Sequence, residues 1–431
     1  MERNVKNKRY KHYKRGTIME FLVTEYGAVG DGVTMNTAAI RAAVKACSET
    51  GGGEVRFPVG CFVSGTIELL DGVTLSFDKG AVLKASDNLA DFEKLPLPDC
   101  DVGVRIGFIY AIGKRDIGLA GRGRIDLNYT AFFKDDRRLA IDRELTERER
   151  AEATLAIPPR LTQPICIHDC VNVDLRDLTI VNSPSWTISM VGCEHVTADR
   201  VTIDNSLLVP NCDGIGFSSS YDVVVSNCHI SCADDCLTFC GTKQCVVTNC
   251  VLRSRSSAIR IGYIEDTTEN LAISNIVIHD SNRGIMIQGS NNAKIHNVVI
   301  QNVIMRNKGF AGAWWGSGEP LTIVSGSERG GISNVMMTNV RAESARGIAM
   351  RGLPSGNVHD ILLRDWQLTI TAEGECSEQR RVDFRDEEEV LLPVGCMPWC
   401  YAENIGNLKM EGMDISKSGD AQTLDITAVI K

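Results

Sequence analysis

The sequence predicts an all-β fold, a right-handed parallel β-helix whose N-terminal end is capped by a helix. Three observations predict it: an internal repeat of 22 to 27 residues, a second strand in most copies of that repeat, and an amphipathic helix ahead of the first copy. The composition agrees, because 43% of the 431 residues are hydrophobic and the strongest apolar runs are rich in Val and Ile. We expect one β-helix domain over residues 19–431.

The first strand of the repeat occurs in six copies. Their seventh and ninth positions are apolar throughout, as expected for side chains that enter one continuous core. The sixth position is Asn in four successive copies, and Asn tolerates the left-handed backbone conformation of a tight bend. Stacked Asn side chains can also hydrogen-bond from coil to coil. The Asn residues are Asn227, Asn249, Asn275 and Asn297, and the copies are NVDLRDLTI (172–180), HVTADRVTI (195–203), DVVVSNCHI (222–230), QCVVTNCVL (244–252), NLAISNIVI (270–278) and NAKIHNVVI (292–300).

A second strand of alternating apolar residues predicts another sheet. The alternate, non-core positions of this strand must point out of the sheet. They form the natural wall of a long cleft. The segments are GIGFSS (214–219), CLTFCG (236–241), AIRIGY (258–263), GIMIQG (284–289) and GIAMRG (347–352), and the outward residues are Gly216, Thr238, Arg260, Met286 and Ala349.

The remaining segments complete the solenoid. Residues 34–53 read as a helix that begins near Asn36 or Thr37 and covers the open end of the sheets. We expect a charged helical insertion at about 135–156 and a loop insertion at about 307–320. The basic leader, residues 1–18, is interpreted as disordered.

Charge and cysteine content exclude several classes of function. The net charge is −9, and residues 1–16 carry seven Lys/Arg and one Glu, so the remainder carries −15. Such a body is a poor partner for nucleic acid or anionic lipid. The leader has no apolar segment behind it, so we expect no export and a cytoplasmic location with reduced thiols. No metal site or cofactor is predicted, and homo-oligomerisation stays open.

Three carboxylates are the candidate catalytic residues. Asp213 and Asp235 are 22 residues apart at equivalent positions of adjacent coils, and Asp234 adds a third acid. Stacked coils lie about 4.8 Å apart, so the three acids should be near neighbours. Paired carboxylates suit glycoside hydrolysis, in which one protonates the leaving oxygen and another activates water. The same cluster could hold Ca²⁺ in a lyase.

These residues resemble the family 28 glycoside hydrolases, which include polygalacturonases and rhamnogalacturonan hydrolases. The resemblance covers most of the chain, including EYGAVGDGVTMNTAAIRAAVKACSETGGG near the start and NSPSWTISMVGCEHVTADRVTI at 182–203. The Asn-x-Asp motif of the family matches Asn211-Cys212-Asp213, and its Asp-Asp motif matches Asp234-Asp235. By this resemblance Asp234 is the general acid, Asp213 and Asp235 activate the water, and the reaction inverts the anomeric configuration.

Two motifs depart from that family. Arg255-Ser256-Ser257 stands where Gly-His-Gly is expected, and Ser256 can hydrogen-bond the neighbouring acid. Met286-Ile287-Gln288 replaces the Arg-x-Lys pair that grips a galacturonate carboxylate. Replacement contacts to the substrate are predicted from Asn211, Ser256, Arg260, Arg283, Gln288, Trp314, Trp315 and Glu319. For Arg260 and Arg283 the alternative is charge balance with nearby acids, and for the two Trp residues it is loop packing.

The sequence therefore predicts a glycosidase of the polygalacturonase type that cleaves a pectin-derived or related oligosaccharide from a chain end. A neutral-sugar linkage competes because Arg-x-Lys is missing. A uronate lyase or epimerase would need Ca²⁺ or give an unsaturated product. A non-catalytic carbohydrate-binding solenoid would bind saccharide without turnover.

Overall fold

Parallel strands stacked coil upon coil form the molecule. The computed structural model describes residues 19–134, 151, 153–310, 316–373, 381–382, 384 and 390–431. The predicted disordered leader, most of the predicted helical insertion, and Trp314 and Trp315 lie outside the described residues. The parallel β-helix predicted from the repeat is confirmed.

The sheet that carries the candidate acids, here called the cleft sheet, has 12 parallel strands that pair in sequence order. Each coil contributes one strand, so chain order and spatial order coincide. The strands are Ile67–Glu68, Ile109–Ile112, Ile165–His168, Ile188–Val191, Ile215–Ser218, Leu237–Cys240, Ser257–Gly262, Arg283–Gln288, Glu319–Val324, Ile348–Arg351, Cys400–Glu403 and Val429–Ile430.

A 20-stranded sheet forms the other sides of the coils. Its strands are Glu20–Leu22, Asp31–Met35, Gly53–Phe57, Gly60–Ser64, Val73–Phe77, Ala81–Ala85, Arg115–Gly121, Arg124–Asp126, Val171–Arg176, Thr179–Val181, Glu194–Asp199, Thr202–Asp204, Tyr221–Ser226, His229–Cys232, Lys243–Ser254, Thr267–Ser281, Lys294–Asn307, Gly331–Ser344, Val358–Ile370 and Gly406–Lys417.

The helix Thr37–Glu49 closes the N-terminal end, as predicted. Its apolar stripe joins the same buried core as the inward strand residues, which gives the first coil a cover against water. The stripe comprises Ile40, Ala43, Val44 and Cys47. Asn36 precedes the helix but does not cap it, because its side chain instead exchanges hydrogen bonds with the backbone of Val29. Among the described residues, none of the helices has the length and hydropathy to cross a membrane.

The predicted Asn stack is present, but one copy of the repeat is out of register. Asn249 donates to Asn227 and accepts from Asn275, with N···O distances of 3.3 and 3.2 Å. The next member is Asn302, which donates to Asn275 at 3.1 Å, whereas Asn297 donates to Asn270. The sixth copy is therefore 297–305 rather than 292–300.

In the described part of the chain, two antiparallel strand pairs lie outside the coils. Glu93–Lys94 pairs with Ile106–Gly107, and Arg381–Val382 pairs with Val390–Leu391. The second hairpin belongs to a separate apolar cluster on the outer face of the cleft sheet, which includes Met286, Val324, Ala349, Val382, Phe384, Leu392 and Tyr401. The outward direction predicted for Met286 and Ala349 is correct, but these two side chains are covered rather than open to solvent.

Candidate active site

Coil stacking brings the three acids together. Asp213 and Asp235 each stand two residues before a strand of the cleft sheet, and those strands pair with Ile215 opposite Leu237. Carboxylate oxygens of Asp213, Asp234 and Asp235 lie within 4.8 Å of one another. The juxtaposition expected from the 22-residue spacing is therefore present, while the chemical roles of the three acids stay predictions.

Small apolar side chains hold the two acidic bends in place. Cys212 and Ala233 are fully buried next to the acids and pack in a small cluster with Phe133, Leu155 and Val209. The Ser254 hydroxyl donates to the Asp234 backbone oxygen at 2.6 Å. The backbone on both sides of the acids is thus fixed by burial and hydrogen bonding, which restricts where their carboxylates can point.

Asp235 is the most enclosed of the three acids. Its side chain is 1% exposed, and its Oδ1 accepts hydrogen bonds from Ser256 Oγ and the Ser257 backbone N, both at 2.9 Å. Arg260 Nη1 lies 3.3 Å from its Oδ2. Three donors directed at one carboxylate favour its ionised form. The predicted contact between Ser256 and the acid is present.

Asp213 and Asp234 face a cavity of about 740 Å³ on the outer side of the cleft sheet. Asp234 is 9% exposed and its Oδ1 accepts from the Asp235 backbone N at 3.1 Å, whereas Asp213 is half-buried. Like charges this close disfavour simultaneous ionisation, so the cluster favours retention of a proton.

Arg260 connects the acids to the next coil. It lines the cavity, its Nη2 donates to Gln288 Oε1 at 2.9 Å, and its guanidinium carbon lies 4.1 Å from the centre of the Tyr263 ring. Burial alone would lower the pKa of Arg260, but the charge of Asp235 and other neighbours outweighs it and raises that pKa. Gln288 is fully buried and does not line the cavity, so it reaches the site through Arg260.

Arg283 and Glu319 do not line the cavity, contrary to the prediction of substrate contact. Their side chains are 0% and 1% exposed, and Arg283 Nε lies 3.8 Å from Glu319 Oε2. They occupy equivalent positions of paired strands, so coil stacking places them against each other. The alternative considered for Arg283, charge balance with a nearby acid, describes this contact.

Sequence reasoning missed several cavity residues. Trp186 is half-buried, lines the cavity and stands one coil before Asp213 at the equivalent position, because Ile188 pairs with Ile215. The repeat contained that signal. Arg105 and Arg160 also line the cavity but lie in segments without the repeat, where no periodicity marks them. Predicted residues on the cavity wall are Asn211, Asp213, Asp234 and Arg260.

Two families match the sequence. Residues 157–371, which include all three acids, match glycosyl hydrolases family 28, and residues 21–95 match a family described as rhamnogalacturonase A/epimerase, pectate lyase-like. The chain belongs to glycosyl hydrolases family 28. Its predicted membership of this family is confirmed, and glycosidase, the predicted enzyme class, is the class of the family.

Relatives of this family 28 chain are distant. An exo-poly-alpha-D-galacturonosidase of Dickeya chrysanthemi is 28% identical over 250 residues, which cover 50% of this chain and 41% of the relative. A probable polygalacturonase of Vitis vinifera is 27% identical, with 50% and 43% covered. An endo-polygalacturonase of Pectobacterium parmentieri is 26% identical, with 63% and 69% covered. The matched region thus spans less than half the length of two of these three relatives.

Solved exopolygalacturonase structures share the fold. An exopolygalacturonase from Thermotoga maritima superposes with a TM-score of 0.70 at 18% identity and covers 92% of both chains. The family 28 exopolygalacturonase of Yersinia enterocolitica gives a TM-score of 0.68 at 17% identity, covering 96% of this chain and 79% of the other. These likenesses support the β-helix architecture.

Proposed function

We propose that this chain hydrolyses a glycosidic bond in pectin-type or related oligosaccharides. The observation that carries the proposal is the cluster of three carboxylates within 4.8 Å at the wall of a cavity, in a chain of glycosyl hydrolases family 28. A cavity of about 740 Å³ lies within the size range of small-ligand sites.

The environments of the acids support the roles that the resemblance to the family implies. Asp234 donates a proton to the leaving glycosidic oxygen, because it faces the cavity and stands beside an acid that its donors hold ionised. Asp213 and Asp235 accept the proton of the attacking water. Trp186, on the wall one coil away, gives an aromatic face on which a sugar ring can stack.

We propose inversion of the anomeric configuration. In an inverting reaction one carboxylic acid protonates the leaving oxygen while a carboxylate activates a water, whereas in a retaining reaction the second carboxylate attacks the sugar itself. The number of acids supports inversion, because Asp213 and Asp235 together can hold one water, and the donors on Asp235 disfavour its attack as a nucleophile.

Exo action is the second part of the proposal. Residues 99–103 contribute to the wall of the cavity, and the hairpin of Arg381–Val382 and Val390–Leu391 belongs to the apolar cluster that covers the outward residues Met286 and Ala349 of the later coils. Coverage of the sheet beyond the cavity shortens the open cleft, which favours binding of a chain terminus over an internal segment. The exo-acting relative of Dickeya chrysanthemi supports this interpretation.

A panel of pectic and neutral oligosaccharides tests the function. We expect reducing ends to accumulate from at least one member, and chromatography of early samples to show one small product rather than a ladder of sizes. A ladder would contradict exo action. An ultraviolet-absorbing unsaturated product that needs Ca²⁺ would identify a lyase. Saccharide binding without turnover of any member would contradict hydrolysis. The cytoplasmic location and self-association stay predictions.

Replacing Ser256 by Ala is expected to shift the acid limb of the pH–activity profile upward by about one pH unit. The substitution removes a donor to the ionised form of Asp235, so the pKa of that acid rises and more base is needed to ionise it. Ser257→Ala is the matched control, because Ser257 contacts Asp235 through its backbone N and keeps that contact. An unchanged acid limb in Ser256→Ala would refute the assigned role of Ser256.

A further inference from the structure

Arg160 is a buried cation without an acidic partner among the described residues. It is 5% exposed and lines the cavity. Its Nη2 reaches only neutral oxygens, Asn211 Oδ1 at 3.4 Å and Ser185 Oγ at 3.5 Å, which is the limit of a hydrogen bond. Its Nε is buried and makes no hydrogen bond. Nη1 also makes no hydrogen bond with the described residues. Because Nη1 is not buried, it stays accessible to a ligand.

The other buried arginines of this region are compensated. Arg260 lies against Asp235, and Arg283 lies against Glu319. Buried charges in proteins are normally paired, since removing a charge from water costs several kcal/mol unless an opposite charge offsets it. Burial lowers the pKa of Arg160, as expected for a guanidinium whose charge no neighbouring carboxylate balances. Arg160 therefore needs an anion that the described residues do not supply.

The position of Arg160 connects it to the catalytic acids. Its guanidinium contacts Asn211, which belongs to the same bend as Asp213, while Arg260 contacts Asp235 in the next coil. The two arginines thus contact successive acid-bearing bends, Arg160 from an earlier coil and Arg260 from a later coil of the stack. Arg105, which also lines the cavity, donates to Gln163 Oε1 and the Pro98 backbone oxygen and forms no ion pair within the described part of the chain. Positive charge is therefore available at the Arg160 end of the cavity.

We infer that Arg160 binds the carboxylate of an acidic sugar ring, next to the ring at which the bond is cleaved. The guanidinium fork matches a carboxylate in shape and charge, and binding would compensate the buried cation. The inference rests on the proposed function for the position of the cleaved bond. It gives the substrate class as an oligosaccharide with a uronic acid. It also explains how an acidic substrate is recognised when Met286 and Gln288 carry no charge.

Equilibrium binding tests the inference without turnover. Isothermal titration calorimetry is performed in an Asp234→Asn background with trigalacturonate and with the same trisaccharide whose carboxyl groups are reduced to alcohols. Arg160→Gln is expected to weaken trigalacturonate binding by about 10- to 100-fold and to change binding of the neutral ligand little. Arg160→Lys keeps the charge but loses the fork, so an intermediate loss is expected.

Arg341→Gln is the matched control, because it removes the same charge from an exposed position on the 20-stranded sheet. Its affinities should equal those of the background. If folded Arg160→Gln still binds trigalacturonate in preference to the neutral trisaccharide as strongly as the background does, the inference is overturned. If Arg160→Gln does not fold, the background protein decides: equal affinity for both ligands, or no binding of either, overturns the inference. Acid-selective binding without hydrolysis would overturn only the proposed function, and hydrolysis without acid preference only this inference.

Discussion

Replacing Asp234 by Asn is expected to lower kcat by about 10²- to 10⁴-fold, the usual contribution of a general acid. Asn has nearly the same shape but cannot donate a proton to the leaving oxygen with the acidity of a carboxyl group. The cavity and the contacts of Asp235 with Ser256 and Arg260 should persist, so KM should change far less than kcat. Initial rates on the substrate identified in the panel measure both constants.

An activated leaving group separates the acid from the base. A nitrophenyl glycoside of the same sugar needs little protonation on departure, so Asp234→Asn should retain much more of its activity on it, whereas Asp235→Asn should lose activity on both substrates. Asp204→Asn is the control, because Asp204 is an exposed acid in the coil that leads to Asp213. A decrease in kcat of less than about threefold for Asp234→Asn on the natural substrate would contradict the role of Asp234 as the general acid.

Replacing Glu319 by Gln is expected to destabilise the protein by about 3–5 kcal/mol, because it removes the negative charge from the buried ion pair with Arg283. Glu319 is 1% exposed and lies between Arg283 and Arg346 in the coil stack, both of which are also buried. The midpoint of urea denaturation measures the change. The substitution leaves the acid cluster untouched, so the folded variant should keep its kcat.

Glu343→Gln is the comparison for this prediction. Glu343 also pairs with an arginine, at 3.5 Å from Arg306, but its side chain is 55% exposed. Solvent screens such a pair, so its loss should cost about 0–1 kcal/mol. Equal destabilisation by the two substitutions would show that burial of the Arg283–Glu319 pair has no energetic consequence.

The architecture and the acid cluster could be predicted because stacking fixes them. Once residues 22 apart occupy equivalent positions of adjacent coils, their separation follows from the strand spacing, whatever the rest of the sequence contains. The same rule would have placed Trp186 beside Asp213, since only the offset from a paired strand is needed. Trp186 was overlooked because the two coils carry different residue types, Trp and Asp, at the same distance from the paired strand.

The pairing register of successive repeat copies was predictable only where successive coils contain similar numbers of residues. Asn270 and Asn275 are five residues apart, and so are Asn297 and Asn302, so a match of Asn275 to Asn297 also keeps apolar residues inward. The hydrogen bonds select the other match, Asn275 with Asn302. The two registers differ by five residues, and the Asn bend sets a spacing of three between the inward pairs on its two sides, so apolar residues point inward in both registers.

Side chains at the bends were the least predictable. Whether a charged residue enters the cavity or the protein interior depends on loops whose lengths vary. Arg283 finds its partner 36 residues along the chain, and Arg160 lies in a segment with no repeat at all. The contacts of both arginines depend on where other coils lie. The sequence pattern therefore predicted a substrate contact for Arg283 and gave Arg160 no role.

The anomeric configuration of the first product is the most direct measurement of the central claim, that three clustered acids activate a water for a single displacement. Proton NMR during the first minutes of hydrolysis, before mutarotation equilibrates the anomers, records it. The account predicts the anomer opposite to the linkage of the substrate. Appearance of the same anomer as the linkage would contradict it and would point instead to a covalent intermediate on one of these carboxylates.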